Sequence, residues 1–103
     1  MKDVQEKIRK FCEENNIDSS SEARVLDAMS ELGEVAKEIL KSSDYGKKAS
    51  EATSGLAEEL GDLLFSLVTI ANKFDVNLEE SLEIVLKKYE KRLERGSAGS
   101  ESG

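Results

Sequence analysis

The chain of 103 residues contains no histidine, no proline, no tryptophan and only one cysteine. Without histidine, catalysis that depends on an imidazole is excluded, and a zinc site is disfavoured because zinc ligands in proteins are mostly histidine and cysteine. Without proline, no residue forces a helix to break. Cys12 has no second cysteine for an internal disulfide, and its simplest role is that of a half-buried packing residue.

The sequence also lacks a signal-like start and an apolar run of membrane-spanning length, so we expect no membrane partner and a reducing, cytoplasmic location. Its 15 Lys and Arg residues against 22 Asp and Glu residues give a formal net charge of −7. A negative surface repels nucleic acids and anionic membranes, so neither is an expected partner. A small phosphate-bearing ligand remains compatible with this charge, because a bound cation reverses the local field.

The spacing of apolar residues predicts an all-α, four-helix-type bundle in a single domain of residues 1–95. The first, third and fourth predicted helices span residues 3–15, 55–74 and 78–95. The second starts after a cap at Ser19, Ser20 or Ser21 and runs to about residue 41. Residues 42–54 form a polar connection, for which the simplest interpretation is a mobile surface loop. Residues 96–103, rich in Gly and Ser, are predicted to be a disordered tail.

The predicted third helix is apolar around so much of its circumference that we expect little of it to be exposed. Its main apolar face consists of Leu56, Leu60, Leu63, Leu64, Leu67, Val68 and Ala71. Helices of this kind are buried in the centre of a bundle or at a subunit interface. Because a chain of this length buries only a modest core, a partner subunit is expected to contribute.

The predicted second helix separates an apolar arc from an acidic stripe. The arc consists of Val25, Leu26, Met29, Leu32, Ala36, Ile39 and Leu40. The stripe consists of Asp27, Glu31, Glu34 and Glu38. A second acidic cluster, Glu58, Glu59 and Asp62, lies in the first half of the otherwise apolar third helix.

Two pairs of carboxylates, Glu31 with Glu34 and Glu59 with Asp62, are three residues apart, which places each pair on one helix face. If these faces turn inward, the carboxylates need a counter-charge or must take up protons. Oxygen ligands without histidine or cysteine suit Mg²⁺ or Mn²⁺, and acidic pairs on facing helices build such sites in bundles. The alternative interpretation is a solvated acidic face, the usual environment of charged side chains.

Glycines accompany both acidic pairs, as Gly33 and Gly61. In a helix interior each costs about 1 kcal/mol relative to alanine. Close approach of another helix, or space for a ligand, would justify that cost.

The order of the two pairs, with the second inside the segment EELGDLLF, resembles the EXXE…EXXD signature of the MazG-like all-α nucleoside triphosphate pyrophosphohydrolases. The resemblance covers about residues 21–95. It implies magnesium-dependent cleavage of nucleoside and deoxynucleoside triphosphates between the α and β phosphates, giving monophosphate and pyrophosphate, with house-cleaning of the nucleotide pool as the expected role. Manganese is a possible substitute.

The resemblance further implies roles for individual residues. Glu31, Glu34, Glu59 and Asp62 are the implied metal ligands, and one of them, or a neighbour, orients the attacking water. The neighbouring candidates are Glu38 and Glu58.

Lys88 and Arg92, four residues apart on the last predicted helix, match the phosphate-binding pair of the family. The alternative interpretation of these cations is a solvated helix C-terminus favoured by the helix dipole. The family also implies a homodimer or a dimer of dimers, in which Lys88 and Arg92 can serve the neighbouring chain's carboxylates.

Two other functions are open from the sequence. One is phosphoribosyl-ATP pyrophosphohydrolase, an enzyme of histidine synthesis with a similar acidic helical site. The other is a non-catalytic helical interaction protein whose acidic stripes face water. Leu86 stands where many relatives have asparagine, and without tryptophan no indole is present to stack on a nucleobase.

Overall fold

The computed structural model describes residues 1–96, and residues 97–103 of the predicted tail lie outside the described part. The described chain folds into four helices without a strand, which confirms the all-α, four-helix prediction. The helices are α1 (Lys2–Glu14), α2 (Ser21–Ser42), α3 (Ser54–Lys73) and α4 (Leu78–Glu94). Within residues 1–96, none of these helices combines the length and the hydropathy that crossing a bilayer requires.

Polar side chains determine where three of the helices begin. Ser20 is the cap of α2, since its Oγ accepts a hydrogen bond of 3.1 Å from the backbone N–H of Ala23. The three candidate serines are thereby reduced to one. Thr53 and Asn77 cap α3 and α4 in the same way, each accepting from the N–H three residues ahead. Each cap satisfies a backbone donor that the first turn leaves free.

The centre of the fold is the antiparallel pair of α2 and α3, which pack together along their lengths. The buried apolar side chains of the described chain are Val35 on α2 with Val68 and Ala71 on α3. Helix α1 lies against α3, where the ring of Phe11 meets the ring of Phe65 edge-on, with centroids 6.1 Å apart.

A buried glutamine ties α1 to the turn between α3 and α4. Gln5 Nε2 donates to Asn72 Oδ1 at 3.1 Å and to the carbonyl of Val76 at 2.8 Å. Gln5 Oε1 accepts from the backbone N–H of Leu78 at 2.9 Å, and Asn72 Nδ2 donates back to the Gln5 carbonyl at 3.0 Å. These hydrogen bonds fix the start of α4 relative to α1 and α3.

The connection between α2 and α3 begins with ordered turns. Ser43 is buried, and its Oγ accepts from the N–H of Gly46 at 3.0 Å. Three consecutive residues, 44–46, adopt positive φ angles, for which glycine at position 46 is well suited. The first turns of this loop are therefore held by their own hydrogen bonds rather than left without structure.

Large apolar side chains on α2 and α3 lie outside this packed core. On α3, Leu60, Leu64 and Leu67 are exposed, so the expectation that little of this helix is exposed is wrong for the single chain. On α2, Leu26 and Met29 of the predicted apolar arc are each 66% exposed. The physical reason is that α2 turns a different stripe toward α3, leaving the arc on the outside.

Helix α4 extends away from the pair formed by α2 and α3. None of its residues is buried within the chain, and it has no packing against another helix comparable to that of α2 on α3. Its apolar residues Leu82, Leu86 and Leu93 are exposed at helical spacing. A helix of this kind lacks the apolar partner that would stabilise it within one chain.

Candidate functional site

The stripe of α2 that faces α3 contains both apolar and charged residues. Arg24, Ala28, Glu31, Val35 and Glu38 recur at intervals of four and three residues, the spacing of one helix face. All five are buried or half-buried, whereas the residues between them are mostly exposed. Glu31 and Glu38 therefore face α3 because they lie on the same side of α2 as the buried Val35.

Three carboxylates from two helices converge on this inner face. Glu31 of α2 and Glu59 and Asp62 of α3 each place one carboxylate oxygen within 4.8 Å of the others. Glu31 and Glu59 are half-buried, and Asp62 is exposed on the open side. We call these three residues the acidic cluster. The structure thus brings together three of the four metal ligands that the family resemblance implies.

Glu34, the fourth implied ligand, is exposed and is not part of the acidic cluster. Its charge is nevertheless close enough to affect Glu59. Desolvation raises the pKa of Glu59 above its ordinary value of 4.5, and the negative charge of Glu34 is the next largest cause, followed by those of Asp62, Glu31 and Glu38. The folded chain therefore gathers negative charge around Glu59 that a cation would neutralise.

Glu38 lies seven residues, about two turns, beyond Glu31 along α2, opposite the start of α3. Its carboxylate occupies the space in which a side chain at residue 55 would begin, so a larger residue than Gly55 would require the Glu38 side chain to rotate away. Lys41 Nζ lies 3.6 Å from Glu38 Oε2. Glu58, the other candidate for orienting water, is exposed and does not join the acidic cluster.

The basic residues of α4 lie apart from the acidic cluster. Lys88 Nζ and Arg92 Cζ are 5.5 and 5.6 Å from the centre of the Tyr89 ring, a cation–π arrangement. Neither forms an ion pair within 4.0 Å with a carboxylate of residues 1–96. Within one chain, the structure does not bring this pair to the residues that would hold the metal.

The chemistry of the acidic cluster fits a hard divalent cation. All three donors are carboxylate oxygens, the ligands that Mg²⁺ and Mn²⁺ prefer. Opposite oxygens of an octahedral magnesium site are about 4 Å apart, so three oxygens within 4.8 Å reach one ion with small side-chain rotations. Asp62 on the exposed side leaves the site open toward a substrate.

The two glycines beside the acidic pairs face open space. A Cβ added at Gly33 or Gly61 would meet no atom of the described chain within 4 Å. Close packing of another helix of the same chain therefore does not explain them. Space for a ligand, or for a second chain, is the explanation that remains.

Sequence reasoning overlooked Arg24, which is only 8% exposed. It lies seven residues before Glu31, and thus on the same helix face. That heptad spacing is the signal by which it could have been found.

Comparison with known proteins identifies relatives of this arrangement. A family profile described as the MazG nucleotide pyrophosphohydrolase domain matches residues 19–96. YpjD of Bacillus subtilis (strain 168) is 35% identical over 96 residues, covering 89% of this chain and 85% of YpjD.

Two crystal structures have the same fold. YpjD from Bacillus subtilis superposes with a TM-score of 0.74 at 36% identity, covering 89% of this chain and 94% of that one. A Bacillus-conserved MazG protein, a nucleotide pyrophosphohydrolase, superposes with a TM-score of 0.72 at 29% identity, covering 85% and 86%.

Proposed function

The chain belongs to the MazG nucleotide pyrophosphohydrolase family, and we propose that it is a magnesium-dependent nucleoside triphosphate pyrophosphohydrolase. It is an enzyme that hydrolyses nucleotide pyrophosphate bonds. The finer proposal is cleavage of NTPs and dNTPs between the α and β phosphates, giving the monophosphate and pyrophosphate. The observation that carries it is the convergence of Glu31, Glu59 and Asp62 from two helices, with no ion pair to a cation of residues 1–96.

In this proposal the acidic cluster holds the metal, and Glu34 completes the ligand set from the exposed side. A divalent cation bound there would neutralise the carboxylates, polarise the phosphate oxygens and activate water. Glu38 is the better candidate than Glu58 for orienting the water, because it is half-buried on the same face of α2 as Glu31.

The proposal includes a homodimer, or a dimer of dimers, whose sites are shared between chains. Helix α4 has 17 residues, about 25 Å of length, and buries none of them in its own chain. Its exposed leucines, together with those on the outer faces of α2 and α3, supply the apolar surface that an obligate interface needs. Lys88 and Arg92 would then contact phosphates held at a neighbour's acidic cluster.

We retain the cytoplasm as the proposed compartment, since Cys12, the chain's single cysteine, forms no disulfide and suits a reducing environment. House-cleaning of surplus or non-standard nucleotides remains the proposed role.

Product analysis tests the reaction. The purified protein is incubated with Mg²⁺ and a panel of NTPs and dNTPs, and with phosphoribosyl-ATP as the substrate of the alternative enzyme. Pyrophosphate with the nucleoside monophosphate is the expected result. Orthophosphate with a diphosphate would contradict the proposed bond, and hydrolysis confined to phosphoribosyl-ATP would favour the alternative.

Mixing two inactive variants tests the shared site. Glu59→Gln chains lack a metal ligand, and Lys88→Ala/Arg92→Ala chains lack the proposed phosphate contacts. If each site combines two chains, randomly reassembled dimers should recover about a quarter of the wild-type activity, because half are mixed and each mixed dimer has one intact site of two. No recovery in assemblies shown by mass to be mixed would place all these residues in one chain's site.

A further inference from the structure

A pocket of about 440 Å³ lies at the other end of the α2–α3 pair from the loop that joins them. It is enclosed by the second half of α1, the connection that follows it, the first turn of α2 and the last turns of α3. A volume of this size is typical of small-molecule sites. Its lining includes Arg24, Thr69 and Asn72 as polar groups, with Ile17 and Cys12 beside them.

Arg24 is the unusual member of this lining. It is 92% buried, yet no carboxylate of residues 1–96 lies within 4.0 Å of its guanidinium, and no hydrogen bond from its side chain is formed. An arginine remains charged at any physiological pH, so a buried one without a partner is costly.

The guanidinium of Arg24 keeps a small contact with solvent. Among the described residues, no fully enclosed side-chain nitrogen or oxygen lacks a hydrogen-bond partner, so solvent reaches the unpaired nitrogens of Arg24. The pocket that Arg24 lines is the opening through which solvent would reach them. A ligand entering the pocket would meet a guanidinium with free donors.

The other charges around the pocket are largely committed to one another. Lys73 Nζ contacts Asp18 Oδ1 at 3.2 Å and the carbonyl of Ser19 at 2.8 Å. Arg9 lies 3.9 Å from Glu6 and 4.0 Å from Asp75. Of the three cations in the lining, Arg9, Arg24 and Lys73, only Arg24 has no carboxylate of residues 1–96 within 4.0 Å. Its unpaired guanidinium favours an anionic occupant.

This pocket is separate from the acidic cluster. Arg24 and Glu31 are seven residues apart on α2, and so are Thr69 and Asp62 on α3, which corresponds to about 10 Å along either helix. None of the cluster's carboxylates lines the pocket, and neither do the basic residues of α4.

We propose that this pocket is a binding site for an oxyanion, the phosphate or carboxylate group of a small ligand, held by Arg24. The guanidinium presents two parallel N–H donors to two oxygens of such a group. Asn72 Nδ2 donates one of its two N–H groups to the Gln5 carbonyl, so the second is free for a further contact. Ile17 and Cys12 form the apolar side against which an organic body would lie. The site does not depend on the proposed reaction, since no metal is required for it.

The experiment uses metal-free protein, in excess chelator, so that the acidic cluster stays negative and repels anions. Inorganic phosphate and acetate are titrated separately, and the melting temperature and heat of binding are measured. Saturable stabilisation of the wild type by either ion is expected, and the comparison between them assigns the phosphate or the carboxylate class. Binding of neither ion would overturn the proposal.

Arg24→Gln is the test variant, and Arg95→Gln, which removes an exposed cation outside the pocket, is the matched control. Hydrogen bonds to charged groups contribute about 1.5–3 kcal/mol, so Arg24→Gln should weaken binding by about tenfold or more. Arg95→Gln should bind as the wild type does. Equal binding by wild type and a folded Arg24→Gln variant would show that the anion is held elsewhere.

A measurement on the unmodified chain covers the case in which Arg24→Gln does not fold. In NMR spectra of the metal-free wild type, phosphate or acetate should shift the Nε–H signal of Arg24 and the amide signals of Thr69 and Asn72. The amide of Asp62 serves as the reference for the distant acidic cluster. Shifts confined to residues outside the pocket would overturn the assignment. Because no metal or hydrolysis is involved, this failure is distinguishable from failure of the proposed reaction.

Discussion

Two regions of the α2–α3 pair carry unbalanced charges of opposite sign. Near the middle of the two helices, Glu31, Glu59 and Asp62 converge, and none of them forms an ion pair with a cation of residues 1–96. At the end away from the loop that joins the helices, Arg24 is buried with no carboxylate of those residues within 4.0 Å. The two groups are separated by about two helical turns, and the chain does not bring them together.

The contrast indicates that packing within the described chain neutralises neither region. An arginine closer to the carboxylates would form an ion pair with them, at the desolvation cost that a buried pair carries. Each region instead retains groups that a ligand of the opposite sign would satisfy. A cation suits the acidic cluster and an anion suits the Arg24 pocket, and each of the two regions can be tested separately.

The largest effect is expected from a change in the acidic cluster. Glu59→Gln should lower the rate of pyrophosphate release by at least about 100-fold, because a neutral amide is a poor ligand for a hard cation at the point where charge is stabilised. The measurement is kcat/KM with the preferred triphosphate. Glu58→Gln, the exposed neighbour outside the cluster, is the matched control and should retain most of the wild-type rate.

The second effect is on stability and has opposite signs with and without metal. The pKa of Glu59 is raised in the folded chain, so the folded state binds its proton more tightly than the unfolded state. The stability that this proton contributes is therefore fully present below pH 4.5, the ordinary pKa of a glutamate, and is lost as the pH rises through the folded-state pKa. Metal-free Glu59→Gln should consequently melt at a higher temperature than the metal-free wild type at neutral pH.

Adding Mg²⁺ should reverse that order. The melting temperature of the wild type should rise with Mg²⁺ concentration, as expected for a ligand that binds only the folded state. The melting temperature of Glu59→Gln should rise little. Scans at several pH values with chelator and with Mg²⁺ provide the measurement. If neither Mg²⁺ nor Mn²⁺ shifts the wild-type melting temperature, the cluster is a solvated acidic face and the interaction-protein alternative is favoured.

A smaller effect on stability is expected from a change beside the Arg24 pocket. Gln5→Ala removes three hydrogen bonds that fix α1 beside the turn after α3, leaving the Asn72 and Leu78 groups without that partner. We expect a loss of roughly 1–3 kcal/mol of unfolding free energy. Because α1 encloses the Arg24 pocket, phosphate stabilisation should weaken while Mg²⁺ stabilisation persists. Equal weakening of the phosphate and the Mg²⁺ stabilisation would mean that the Arg24 pocket and the acidic cluster are coupled through the helix pair.

The smallest effect concerns the glycines beside the acidic cluster. Gly61→Ala meets no atom of the described chain and should stabilise the helix by about 0.5–1 kcal/mol, measured by denaturant unfolding. Gly55→Ala is the contrasting variant, since its Cβ would displace the Glu38 carboxylate, and it should stabilise less than Gly61→Ala does. Loss of activity or of assembly in a stably folded Gly61→Ala variant would show that a ligand or a second chain occupies the open space.

Much of the fold followed from local patterns. Apolar spacing located all four helices to within one residue at their ends, and short polar residues such as Asn77 marked where helices begin. Local rules suffice here because periodicity and capping depend on residues only a few positions apart. The choice among three serines at the start of α2 needed the structure, because all three can accept the same kind of hydrogen bond.

The candidate site was predictable in part. The spacing of Glu59 and Asp62 already places them on one face of a helix, and three of the four implied ligands do converge. Glu34 could not be separated from Glu31 in this way, since residues three apart are only about 60° apart around the helix and the facing helix decides which one it meets. The positions of Lys88 and Arg92 relative to the metal depend on a second chain, which remains a prediction.

Local spacing alone defined which residues share a helix face, where the helices start and stop, and that two acidic pairs must be accommodated. Which face of α2 turns inward depended on the tertiary structure. Periodicity grouped Leu26 and Met29 in an apolar arc, whereas packing against α3 buries the stripe of Arg24, Glu31 and Val35 and leaves the arc exposed. Burial depends on the shape and charge of the opposing helix, which no local spacing contains.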